Sequence, residues 1–229
     1  MSLGSPVQPR GFYGRDQLAA EIVAITTFFV LTAILGQRIA ADAYEGGWPI
    51  VAVAAFSGFI AADFVSGVVH WLGDTWGKQS WPILGRALIR PFREHHVDQT
   101  AITRHGFVET NGSSSVGSVI LLGVGLGVPP VGEGALFLAA ALLSLSSWLF
   151  ATNQIHKWAH VAAPPPPVAW LQRRGWILDP AHHAVHHSPP FDRYYCITTG
   201  WLNPMLTRAG FFPTLERIIR AATGATPRG

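Results

Sequence analysis

The chain has 229 residues, of which 49% are hydrophobic and 13% charged, against roughly 25% charged residues in an ordinary soluble domain. With a mean hydropathy of +0.28, this charge deficit argues against a water-soluble globular protein and for a membrane protein. The net charge of +3 comes from dispersed basic residues rather than a stripe, which excludes a nucleic-acid-binding surface, and the lone Cys196 excludes a disulfide framework.

In chain order, residues 1–17 form a segment carrying Arg10 and Arg15 ahead of a first apolar run, 18–36, with Glu21 near its start. A second run, 48–73, holds Asp63 and His70. A third, 115–132, is rich in glycine and carries Pro129 and Pro130, and a fourth, 134–155, is almost wholly Leu, Ala, Ser and Phe. A helix needs roughly 20 apolar residues to cross a bilayer, so the runs predict an all-α protein with four transmembrane helices. Glycine and proline make the third the weakest of them, although membrane helices tolerate both. The first run is too long for a cleavable leader and no small-residue cleavage site follows it. Of the 16 Lys and Arg residues, 15 fall in the N-terminal segment, the loop between runs two and three, or the region after run four, leaving Arg38 alone on the other side. That asymmetry predicts cytoplasmic termini and a cytoplasmic middle loop.

All 10 histidines fall on that same side. His70 has Asp74 four residues on, at the end of the second run. His95, His96 and His105 lie in the middle loop. His156 and His160 extend the fourth run, with Asn153 three residues earlier. Beyond the stiff connector APPPP at 163–167 comes DPAHHAVHH at 179–187, in which Asp179 is a natural N-cap and Pro180 a natural first helical residue. The resulting helix, stopped by Pro189 and Pro190, pairs His182 with His186 and His183 with His187 at one-turn spacing. The C-terminal TLERIIRAA has the pattern of a short interfacial helix within a tail, 211–229.

One zinc ion takes about four ligands, fewer than this set offers; two ions with about three to five nitrogen donors each would use most of it. Imidazoles without thiolates suit iron, zinc or copper rather than magnesium or calcium. The candidate ligands are His70, Asp74, His95, His96, His156, His160, His182, His183, His186 and His187. His105, Asn153 and Asp179 are placed either as further ligands or as hydrogen-bond partners that orient ligands. Asp63, within a span, is either functional or a helix-to-helix hydrogen-bonding group.

ADFVSGVVHWLGDTWG (62–77), PFREHHVDQTAITRHGFVETNG (91–112), NQIHKWAH (153–160) and HHAVHHSPPFDRYYCITTGWLNP (182–204) together resemble the plasmanylethanolamine desaturase family, also called the Kua lipid desaturases. That group includes a plant plastid desaturase acting on phosphatidylglycerol. The resemblance covers roughly residues 45–210. It implies a desaturase domain over 18–210 with a histidine-rich cytoplasmic cap, two iron ions, dioxygen as co-substrate, and electrons from a separate electron-transfer protein. The implied reaction introduces a vinyl ether double bond into the alkyl chain of an ether phospholipid in a bacterial inner membrane or its equivalent. HAVHH (183–187) fits a desaturase histidine box, whereas REHH has Phe92 where a first histidine would stand, and Asp74 replaces a histidine after His70. Arg90, Arg93 and Arg104 are candidates for the lipid head group. Three alternatives remain open: an acyl-chain desaturase or hydroxylase of a different glycerophospholipid, a metal transporter and a zinc hydrolase. Transporters place ionisable ligands near the membrane midplane, whereas here only Asp63 and Glu21 lie within spans and the histidines gather at one face, and no H-E-x-x-H motif is present for a hydrolase.

Overall fold

The computed structural model describes residues 14–44, 46–82, 84–85 and 89–227; Arg10, Arg86, Arg228 and all but four residues of the expected 1–17 segment lie outside them. Among these described residues nine α-helices follow in order: α1 (Arg15–Asp42), α2 (Trp48–Thr75), α3 (Arg90–Val97), α4 (Phe107–Gly127), α5 (Gly132–Ala159), α6 (Pro166–Arg173), α7 (Pro180–His186), α8 (Asn203–Arg208) and α9 (Phe211–Thr223), with a 3-10 turn, Ala101–Arg104, before α4. There is no strand among the described residues.

Three of the helices, α1, α2 and α5, are long and apolar enough to cross a membrane, each with 28 residues. At 1.5 Å per residue such a helix is about 42 Å long, beyond the roughly 30 Å of bilayer hydrocarbon. About two turns of each therefore have room outside it, and α2 and α5 carry their histidines in their last turns.

The helix expected over 115–132 runs instead over Phe107–Gly127. Its polar start is helical because short side chains bond back to the preceding turn: Thr110 Oγ1 donates to Gly106 O at 2.9 Å and Asn111 Nδ2 to Phe107 O at 2.8 Å. It ends before Pro129 and Pro130, which cannot extend it. The proline connector after α5 leads straight into α6, whose first turn accepts Pro166 and Pro167 because it needs no amide donors.

α5 lies against α2 on one side and α4 on the other, with α1 against α4. Phe28, Leu35, Ile39, Ala54, Leu122 and Ala140 fill the space between them, and Phe28 stacks on Phe150 with ring centroids 4.1 Å apart. Large apolar side chains such as Val23, Phe29, Val53, Phe56 and Ile120 point outward, as lipid-facing positions do. α9 docks through Phe212, packed with Trp71 and Tyr195, and through a bond of 2.9 Å from Trp71 Nε1 to Glu216 Oε1.

Residues 193–202, between α7 and α8, adopt no regular structure, and those from Tyr195 to Gly200 are buried against α2. A buried backbone must find partners for its N–H and C=O groups, and here side chains of α2 supply them. Ser66 Oγ accepts Ile197 N–H at 3.1 Å, while Asp63 accepts Thr199 N–H at 2.7 Å, Gly200 N–H at 2.9 Å and Leu202 N–H at 3.2 Å. Asn203 bonds both main-chain groups of Cys196. The close approach requires glycine at 67, where a Cβ would come within 2.5 Å of Cys196 Sγ.

Candidate metal centre

Four helices bring nine of the candidate ligands to one end of the bundle. His70 and Asp74 come from the last turns of α2, His95 and His96 from the C-terminal end of α3, His156 and His160 from the end of α5, and His183, His186 and His187 from α7. α7 forms where the cap chemistry places it, since Asp179 Oδ1 accepts Ala181 N–H at 2.9 Å and His182 N–H at 3.1 Å.

The donor atoms fall into two groups, each with its atoms within 4.8 Å of one another: His95, His156, His160, His183 and His187 in the first, and His70, His95, His96 and His186 in the second. His95 belongs to both. Asp74 joins the second group, its Oδ2 lying 3.0 Å from His96 Nε2, 3.3 Å from His70 Nε2 and 3.4 Å from His186 Nε2.

Hydrogen bonding does not account for this packing. His183 Nε2 stands 2.8 Å from His156 Nε2, 3.0 Å from His160 Nε2 and 3.0 Å from His187 Nε2. A neutral imidazole has one N–H, so four such nitrogens facing one another cannot all be satisfied by protons. His70 Nε2, His95 Nε2 and Asp74 Oδ1 are buried with no hydrogen-bond partner among the described residues. Lone pairs converging on two points fit two cations, and nitrogen donors with one carboxylate and no thiolate fit iron, zinc or copper.

The electrostatics agree. Burial, then the neighbouring histidines, hold His95 and His183 well below the usual imidazole pKa. The same causes, in the same order, bring His160 to about 4 and His187 to about 2. Neutral imidazoles are the form a metal needs. Two ligands are oriented by main-chain carbonyls: His70 Nδ1 donates to Tyr195 O at 3.1 Å and His186 Nδ1 to Arg193 O at 2.9 Å, which leaves each Nε2 lone pair facing the site.

The remaining sequence candidates lie elsewhere. His182, one residue before His183 and so about 100° around α7, falls in neither group and instead meets Asn203 Nδ2 at 3.1 Å. His105 pairs with Glu109 at 3.7 Å, Asn153 is half-buried one turn before His156, and Asp179 is the cap of α7. Arg90 pairs with Glu94 at 3.2 Å and Arg104 with Asp98 at 2.6 Å. Arg93 donates to the carbonyls of Gly73, Trp76 and Gly77, where α2 ends. With Gln79 and Val97, residues Arg90, Arg93 and Glu94 line an open hollow of about 430 Å³. Phe92, at the position of the missing box histidine, packs its ring 4.7 Å from that of His70.

Comparison with known proteins places the chain in a family. Residues 59–229 match the family model described as lipid desaturase domain. Plasmanylethanolamine desaturase of Myxococcus xanthus is 51% identical over 210 residues, covering 92% of this chain and 74% of that protein. Plasmanylethanolamine desaturase 1 of Mus musculus is 44% identical over 186 residues, covering 79% and 69%. Chloroplastic fatty acid desaturase 4 of Arabidopsis thaliana is 33% identical over 181 residues, covering 77% of this chain and 54% of that protein. No solved structure matches the chain.

Proposed function

The chain belongs to the lipid desaturase family, and from that premise we propose that it is a plasmanylethanolamine desaturase, an integral membrane enzyme that converts the alkyl chain of an ether phospholipid to the vinyl ether of a plasmalogen. The carrying observation is the pair of donor groups sharing His95 at one end of the bundle, in a chain 51% identical to an enzyme of that name. Two bound irons, with dioxygen and electrons from a separate carrier protein, supply an oxidant for unactivated C–H bonds that no side chain can provide.

The residues have the following roles. His70, Asp74, His96 and His186 would hold one ion and His156, His160, His183 and His187 the other, with the single lone pair of His95 Nε2 serving one of the two. The bond to be desaturated adjoins the ether oxygen, so the glycerol and head group must stop close to the metals while the rest of the alkyl chain stays among apolar side chains. The hollow beside α3 suits such a head group, with Arg90 and Arg93 for its phosphate and Glu94 for its ammonium. Arg104 is paired with Asp98 and does not line the hollow.

The desaturase domain runs over 18–210, with α9 in the flanking C-terminal tail. Its spans are α1, α2, α4 and α5, and both termini and the metal-bearing end face the cytoplasm, a reading supported by the side on which 15 of the 16 Lys and Arg residues fall. Single cysteines introduced by Asp16→Cys and Thr226→Cys should label from the cytoplasmic side of sealed vesicles, with little background because Cys196 is buried. Labelling of the two from opposite faces would refute the topology.

A second reading, a desaturase acting on the acyl chains of another phospholipid, draws on the Arabidopsis relative. Lipid analysis separates the two. Expressed in a host that makes saturated ether lipids and no plasmalogens, the chain is expected to produce acid-labile vinyl ethers at the cost of the saturated species. New acyl-chain unsaturation with no vinyl ether would favour the second reading.

A further inference from the structure

Asp63 is wholly buried in α2, and the roles given above leave it unused. It lies two turns before His70 on the same helix face, with Ser66 between them. A carboxylate removed from water needs strong donors, and Asp63 takes three, the N–H groups of Thr199 and Gly200 on Oδ1 and of Leu202 on Oδ2. All three belong to the segment that also carries the carbonyls of Arg193 and Tyr195, the acceptors for His186 and His70. Asp63, Ser66 and His70 thus bind one irregular strand of backbone at three successive levels of one helix.

The two donor groups differ in this respect. The second group has a carboxylate, Asp74, and two imidazoles whose Nδ1–H is fixed by a carbonyl. The first is all imidazole. Its His183 Nδ1 and His187 Nδ1 have no hydrogen-bond partner among the described residues. A ligand whose far nitrogen is anchored loses less freedom on binding a metal, and a carboxylate adds charge attraction.

We propose that Asp63 is a positioning residue: by pinning the backbone at 199–202 it holds the Arg193 and Tyr195 carbonyls against His186 and His70, and so makes the carboxylate-bearing site the tighter of two unequal metal sites. The inference rests on reading both donor groups as metal sites. It requires nothing of the substrate.

The test is Co²⁺ binding to the purified metal-free protein, followed by the visible ligand-field bands. The parent should take up Co²⁺ in two phases. His156→Ala, which touches only the first group, should remove the looser one, and Asp74→Asn the tighter. Asp63→Asn keeps an acceptor for Thr199 and Gly200 but turns an N–H of its own toward that of Leu202. It should weaken the tighter phase by about 10- to 100-fold and shift its bands, leaving the looser phase in place. Ser66→Ala, which removes the bond from Ile197 and the one that Ser66 Oγ donates to Asp63 O within α2, should weaken the same phase by about three- to tenfold, and it carries the test if Asp63→Asn fails to fold. Equal weakening of both phases, as a general loosening of the bundle would give, overturns the proposal, and so does an unchanged tighter phase. A parent protein that binds no Co²⁺ overturns the metal reading itself, and the role of Asp63 with it.

Discussion

Asp74→Asn is expected to reduce bound iron from two per chain toward one and to bring vinyl ether formation below about 1% of the parent, more than the 10- to 100-fold typical of a residue that only orients a ligand. The geometry gives the reason. Oδ2 lies within 3.4 Å of three imidazole nitrogens, and Oδ1 is buried with no hydrogen-bond partner among the described residues. The carboxylate therefore stands at the point on which His70, His96 and His186 converge. Asparagine keeps the shape and one oxygen but removes the charge that draws a divalent ion to this site. Asp74→His should recover part of the iron, because an imidazole at this level of α2 can also reach the convergence point. Iron content and vinyl ether yield measured on both variants decide the matter. A fully active, fully loaded Asp74→Asn protein would make the residue a mere helix-end carboxylate.

His95→Ala is expected to lower metal content as well. Its donor atom lies within reach of both groups but can serve only one ion, so its loss should bring bound iron from two per chain toward one and reduce turnover by a factor on the order of 1,000, since the oxidising chemistry belongs to the metals. His182→Ala is the contrast. It sits among the same run of histidines but faces Asn203, and should keep both irons. Iron per chain, read beside circular dichroism to confirm that the helices persist, checks the pair. Full metal loading in His95→Ala would remove it from the centre, and loss of both irons in His182→Ala would return that residue to it.

Much of this site was legible because helix periodicity encodes it. The i, i+4 spacing of His70 with Asp74 and of His156 with His160 placed each pair on one face, and the Asp179–Pro180 start fixed the phase of α7. Spacing alone could not choose between its two histidine faces. His182 pairs with His186 as well as His183 does with His187, and only the position of Asn203 on the neighbouring segment turns His182 away. The early start of α4 was hidden by polar residues that bond to their own helix and so read as loop. The partners of His70 and His186 left no trace in the sequence at all, because main-chain carbonyls carry no residue identity. Asp63 was visible as a costly charge inside a span, but its contacts lie 136 to 139 residues further on, beyond the reach of any periodicity.

Cys196 holds the only thiol in the chain, one residue from the carbonyl that orients His70. A thiolate there would be a competing soft ligand and the easiest target for any partly reduced oxygen escaping the centre. Burial, reinforced by the charge of Asp63, pushes the Cys196 pKa well above its ordinary value, and the sulfur is packed against Gly67. Burial above all, with the charge of the same aspartate that fastens this stretch of backbone, thereby keeps the sulfur protonated, so no reactive thiolate stands beside the donor groups.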